Sequence, residues 1–118
     1  MLARDVRDIL GTERYVAGEG WRSRRLVLAR DGLAYSVHET TIEPGVTLRF
    51  TYRVHRETVY CISGEGSVRD VAAGQTWPIR PGSLYSAGIG DDHVVTSVTE
   101  LKLLCIFDPP LEGREEAD

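Results

Sequence analysis

The pattern of apolar and polar positions changes once along the chain, near Trp21. Before it, Val6, Ile9 and Leu10 form one apolar side of a short helix or turn that Gly11 ends. After it the period is two. Apolar residues alternate with polar ones over 25–28, 35–42, 46–52, 58–62, 67–71, 75–79, 83–87, 93–98 and 101–107, and each stretch predicts a strand. The segments DG (31–32), EPG (43–45), SGEG (63–66), AAG (72–74), RPG (80–82) and GDD (90–92) fall between them as turns. Many short strands at close spacing predict an all-β sandwich or closed barrel. Residues 108–118, DPPLEGREEAD, have two prolines and no period, and predict an irregular tail that lies on the barrel or frays. A length of 118 residues suits one domain over 1–118 with a core that needs no staples.

Composition narrows the class. Hydrophobic residues are 42% and charged residues 27%, as in globular proteins. The net charge of −4 gathers at Glu112, Glu115, Glu116 and Asp118, which argues against a nucleic-acid partner. The basic cluster Arg22, Arg24 and Arg25 is the one local exception, and a solvated strand edge is one reading of Arg22 and Arg24. No apolar run approaches the roughly 20 residues that span a bilayer, so no membrane partner is expected. The charged, amphipathic N-terminus is unlike a signal peptide, and a cytoplasmic location is expected. Cys61 and Cys105 sit in apolar runs and read as buried free thiols, with neither disulfide nor structural-zinc spacing.

Two spacings carry chemistry. Gly45, Glu57 and Gly64 stand where the first motif of the cupins has its glycines and glutamate, with Thr51 and Arg53 in the two histidine places. Gly74 and Gly82 fit the second motif, with Arg80 in the proline place and Tyr85 in the histidine place. The chain therefore resembles a cupin-type antiparallel β-barrel, or jelly roll, that lacks the usual three-histidine metal set. His93 begins a strand after the hairpin of Tyr85. If those strands pair, Glu57, Tyr85 and His93 make an O, O, N set suited to iron or zinc, with positions left open for substrate. A tyrosine on a strand usually packs, and a histidine after two aspartates usually sits in a solvated turn. Spacing alone thus favours a barrel that binds without metal over the metal site.

A closer resemblance lies in LGTER (10–14), WRSRRLVL (21–28), SVHETTI (36–42), HRETVYCISGEGSV (55–68), PIRPGSLY (78–85), DDH (91–93) and CIFDPPLEGRE (105–115). In this order, over roughly residues 1 to 115, they are similar to the ectoine synthase family. The resemblance implies iron held by Glu57, Tyr85 and His93, with zinc or another divalent ion as a substitute. It implies substrate contacts at Trp21, Arg25, His38, Thr40, Tyr52, Cys105, Phe107 and Glu115, and a homodimer. Strand parity agrees, because His38 and Thr40 share a face, as do Cys105 and Phe107. Barrel core remains the alternative for Cys105 and Phe107, a lid over core for Trp21, and a satisfied core histidine for His38. The family also has a longer tail with a histidine, and this sequence has Ala117 in its place. That departure bears on how the pocket closes.

The implied activity is that of a carbon–oxygen lyase: ring closure of N4-acetyl-L-2,4-diaminobutyrate to ectoine with loss of water, as part of compatible-solute synthesis under osmotic stress. Glu115 and His55 are the candidate bases for the α-ammonium, and Tyr52 is a further catalytic candidate. Arg25 suits the substrate carboxylate. The other classes in play are a cupin-type metal-dependent oxygenase or isomerase and a non-catalytic binding module for a related small amino acid.

Overall fold

The structure, a computed structural model, describes residues 1–113 and Glu115. Ten strands build two antiparallel sheets: β1 (Tyr15–Gly18), β2 (Trp21–Val27), β3 (Ser36–Ile42), β4 (Thr47–Phe50), β5 (Arg56–Ser63), β6 (Gly66–Asp70), β7 (Gln75–Ile79), β8 (Leu84–Ala87), β9 (His93–Ser97) and β10 (Leu101–Asp108). The larger sheet runs β1-β2-β3-β10-β5-β8 and the smaller β4-β9-β6-β7. Strands pair as β3 with β10, β4 with β9, β5 with β8 and β6 with β7. A hairpin folded over on itself pairs its arms in this nested way, alternating between sheets, which is the jelly roll. The expected cupin-type barrel is present.

The alternation read from the sequence is the alternation of burial. Along β10, Leu101, Leu103, Cys105 and Phe107 are buried and the residues between them are not. They join Ile42, Val59, Cys61, Val68, Ile79 and Val95 in a core between the sheets. Gly64 shows how tightly the turns fit. Its φ is +95°, and a Cβ there would stand 2.0 Å from the Glu100 carbonyl oxygen, so only glycine is admitted.

The structure differs from the sequence expectations in three places. Strand β1 and the first half of β2 have no period-two signal: β1 is only the four residues YVAG, and RSRR in β2 is an unbroken polar run. Second, β2 lies between β1 and β3 and is not an edge. Arg24 and Arg25 are buried; Arg24 bonds Glu39 at 2.9 Å and Thr41 at 2.6 Å. Third, the N-terminal turn is a 3-10 segment, Val6–Asp8, after which only Ile9 is buried while Leu10 is exposed. The tail packs as expected: Leu111 is buried, its N–H donates to Ser36 Oγ and its carbonyl accepts from Ala29. Ala117 lies outside the described residues.

Candidate active site

One register row crosses the larger sheet: Arg25 opposes His38, His38 opposes Cys105, Cys105 opposes Val59 and Val59 opposes Tyr85. In an antiparallel sheet such a row points to one face. Here that face is the barrel interior, so five strands distant in sequence deliver a guanidinium, an imidazole, a thiol and a phenol to one wall. A cavity of about 290 Å³ lies against it, with Leu48, Arg49, Phe50 and Val95 of the smaller sheet opposite. That size is at the small end of the ~300–1,000 Å³ typical of ligand pockets and suits a small metabolite.

Of the twelve residues expected at the site, ten line the cavity: Trp21, Arg25, His38, Thr40, Tyr52, Glu57, Tyr85, Cys105, Phe107 and Glu115. His93 stands just behind this wall, its ring 5.9 Å from Tyr52 and 6.1 Å from Tyr85. His55 is also outside the wall, buried edge-on against Phe107. The route that joins Tyr85 to His93 differs from the expected one. Strands β8 and β9 do not pair; they belong to different sheets and meet across the interior.

The arrangement around His93 fits a metal ion. Its Nδ1 lies 2.8 Å from the Asp91 carbonyl oxygen, which can only accept, so Nδ1 carries the proton of the neutral ring. Nε2 then holds a lone pair. That atom is buried with no hydrogen-bond partner, and it lies 3.9 Å from Glu57 Oε1. A buried nitrogen left unsatisfied is costly unless something fills the gap, and a cation between an imidazole and a carboxylate would do so. Among the described residues no three of His, Cys, Asp and Glu converge as a ligand set. The remaining expected donor is the phenol of Tyr85, whose ring lies 6.1 Å from that of His93.

The titrating groups sort by burial and neighbours. Burial, then the Glu57 charge, pushes the Tyr52 and Tyr85 phenols up, and the same two causes raise the Cys105 thiol. Burial would depress His93, but Glu57 and the Asp91 carbonyl outweigh it and leave it above its ordinary value. His38 is lowered to about 3 by burial, by the charge of Arg25 and by His55. It is a neutral ring at physiological pH, 5.0 Å from Phe107, and its Nε2 is the second buried polar atom without a partner. Burial would raise Glu115, yet the amides of Glu112 and Gly113, each 2.7 Å from its carboxylate, bring it below its ordinary value.

Arg25 is more engaged than its expected role requires. Its terminal nitrogens donate to the carbonyl oxygens of Gly113 and Glu115, and Nε lies 3.3 Å from Ser23 Oγ. The guanidinium ties the tail to the cavity wall.

The family model for ectoine synthase matches residues 1–118. The chain belongs to the ectoine synthase family. Among curated relatives, the L-ectoine synthase of Desulfosudis oleivorans is 48% identical over 119 residues, covering 100% of this chain and 92% of that protein. The L-ectoine synthase of Halalkalibacterium halodurans is 43% identical, covering 96% and 88%. Among solved structures, the ectoine synthase from P. lautus superposes with a TM-score of 0.90 at 34% identity, covering 95% of this chain and 80% of that one. The polyketide cyclase RemF from Streptomyces resistomycificus, at 16% identity and a TM-score of 0.72, shares the fold alone.

Against this ectoine synthase frame, sequence reasoning missed Ser23 and Arg49, which also line the cavity. Ser23 carried a usable signal, since it shares the parity of Trp21 and Arg25 on β2. Arg49 carried none, because its side chain is 64% exposed and reads as surface.

Proposed function

We infer that the chain is an ectoine synthase, a lyase that closes N4-acetyl-L-2,4-diaminobutyrate into ectoine with release of one water. The reading rests on one observation above others: the full-length family match coincides with a small cavity lined by Glu57 and Tyr85, with the His93 imidazole just behind its wall.

The substrate α-amine attacks the acetamide carbon. The resulting tetrahedral carbon then loses its oxygen as water, leaving a cyclic C=N bond. Iron at Glu57, Tyr85 and His93, or a divalent substitute, would supply Lewis-acid polarisation of the acetamide oxygen. The protein's own contribution is to fold a flexible substrate head to tail. Tyr52, held protonated, donates a hydrogen bond to the oxygen that leaves. Glu115 and His55 remain the candidate proton acceptors for the α-ammonium. Glu115 is already in the cavity wall, whereas His55 must act from behind Phe107. A substrate carboxylate reaches Arg25 only by sharing or displacing the tail carbonyls. Trp21, Thr40, Cys105 and Phe107 shape the remaining wall, and His38 offers an uncharged polar contact.

The protein works as a homodimer in the cytoplasm, in the osmotic-stress response. The outer face of the larger sheet supports the dimer: Tyr60, Ile62, Leu84 and Ile106 are exposed there, side by side on β5, β8 and β10. No helix among the described residues is long and apolar enough to cross a membrane.

The test is an anaerobic assay of metal-stripped protein reloaded with iron, zinc or cobalt and given the acetylated diamino acid. Ectoine forms without dioxygen, and more than one divalent ion restores turnover. Consumption of dioxygen in step with product would overturn the cyclase reading.

A further inference from the structure

His93 is held from two sides by groups that no part of the cavity chemistry uses. On one side Asp91 caps the turn before it. The Gly88 N–H donates to Asp91 Oδ2 at 2.8 Å, and the Asp91 carbonyl takes His93 Nδ1. On the other side Asp92 is gripped by β4 and the residue after it. Arg49 Nε donates to Asp92 Oδ1 at 2.9 Å, its Nη2 donates to Oδ2, and the Thr51 hydroxyl donates to Oδ1 at 3.1 Å. The Asp92 carbonyl accepts from Val71 at 3.0 Å, and Gly90 donates to the Tyr52 carbonyl at 2.8 Å. In register, Phe50 opposes His93 and Arg49 opposes Val94. The clamp thus closes directly over the start of the strand that carries the imidazole.

Stability does not account for this arrangement. The Arg49 side chain is 64% exposed and that of Asp92 28%, and ion pairs so placed contribute little to folding. What sets the pair apart is its two-pronged geometry and its place. A guanidinium fork on a carboxylate fixes a plane as well as a distance. It fixes the peptide whose next residue is His93. Thr51 adds a further point: it stands in the first histidine place of the cupin motif, so a position that generic cupins give to a metal ligand here supports a ligand's neighbour.

We infer that Arg49, Thr51 and Asp92 form a positioning clamp for His93, holding its Nε2 toward Glu57 and Tyr85 as an outer shell for the metal. The inference rests on reading Glu57, Tyr85 and His93 as the ligands. Outer-shell partners of ligating histidines change metal affinity by about 10–100-fold when removed, and the clamp acts in that range. It acts through ring orientation, so the conservative Arg49→Lys variant, which keeps the charge and loses the fork, falls between wild type and Arg49→Leu.

Two measurements on the full chain decide it. Competition with a chelator gives the dissociation constant for zinc and for ferrous iron in wild type, Arg49→Leu, Arg49→Lys and Asp92→Asn. Nitrogen NMR of the metal-free proteins gives the His93 tautomer. The expected result is weaker metal binding by about 10–100-fold in Arg49→Leu and Asp92→Asn, with thermal midpoints within a few degrees of wild type. Wild type shows a single Nδ1–H tautomer, and the two variants show a mixture. Metal affinity and tautomer both unchanged would overturn the clamp, as would an affinity loss matched by general unfolding. A wild-type protein that binds neither ion would refute the metal reading, and the tautomer comparison would still decide the clamp.

Discussion

Two polar regions of this protein are built on opposite terms. Around Asp31 every carboxylate oxygen is used. Arg14 donates to both oxygens at 2.9 Å, Arg4 donates at 3.3 Å and the Leu28 amide donates at 2.9 Å. The bonds from Arg14 hold the Asp31 carboxyl well below the usual carboxylate range despite its burial. At the cavity wall and just behind it, by contrast, His38 Nε2 and His93 Nε2 are buried with no partner. A half-buried charge that is fully bonded is a structural fastener: it joins the N-terminal segment to the Ala29–Asp31 turn. A buried nitrogen left unsatisfied costs stability that a fold keeps only where a ligand completes the bond. The difference separates what holds the barrel from what the barrel is for.

The sharpest way to break that contrast is to delete the incomplete side. Glu57→Ala and His93→Ala are expected to lower kcat/KM by on the order of 10³-fold, about 4 kcal/mol of transition-state stabilisation. Bound metal falls in parallel and the thermal midpoint stays near wild type. Elemental analysis beside the ectoine assay checks this, and full metal occupancy in both variants would remove these residues from the ligand set.

Deleting the complete side should do the reverse. Asp31→Ala leaves two guanidinium groups in a half-buried site and is expected to cost about 3 kcal/mol of folding stability. For a chain of this size that is roughly 10 °C in the melting midpoint. Turnover per folded molecule is unchanged, because Asp31 touches no cavity residue named above. Calorimetry with a folded-fraction-corrected assay is the check; a loss of kcat without a loss of stability would contradict the division.

Arg25 belongs to both sides, since it lines the cavity and fastens the tail. Arg25→Ala is expected to raise KM by about 10–100-fold, the cost of losing charged hydrogen bonds of ~1.5–3 kcal/mol. Arg25→Lys recovers only part, because an ammonium cannot reproduce the fork. Proteolysis after residue 111 should quicken in Arg25→Ala. A normal KM in both variants would leave Arg25 as a tail fastener alone.

A further effect is on pH. His38 has a folded pKa lowered to about 3, while the unfolded ring titrates near its ordinary value of 6.5. Between those values the unfolded chain binds the extra proton, so this contribution is complete above about pH 6.5 and is lost as pH falls toward 3. The slope is at most ~1.4 kcal/mol per pH unit. Urea melts from pH 7 to 4 should show it, and His38→Gln should flatten it. Equal slopes in the two proteins would mean that His38 is not held neutral by the fold.

Much of this was legible in the chain itself. Period-two alternation located eight of the ten strands in place and a ninth, β2, by its second half, and the turn glycines bounded them, because side-chain alternation is imposed by the pleat and needs no knowledge of neighbours. The motif spacings and the family resemblance named Glu57, Tyr85 and His93 before any coordinates. Tertiary structure alone decided three things. It brought β8 and β9 together across two sheets where the sequence suggested a hairpin pair, because sheet packing leaves no local trace. It buried Arg24, whose charged run looks like surface, by placing β2 inside a sheet. It also joined Arg49 to Asp92, residues 43 apart in sequence. An exposed arginine on a strand and a partly exposed aspartate in a turn are each ordinary. Only the register of β4 against β9 makes them a pair, and only the neighbouring imidazole gives the pair something to hold.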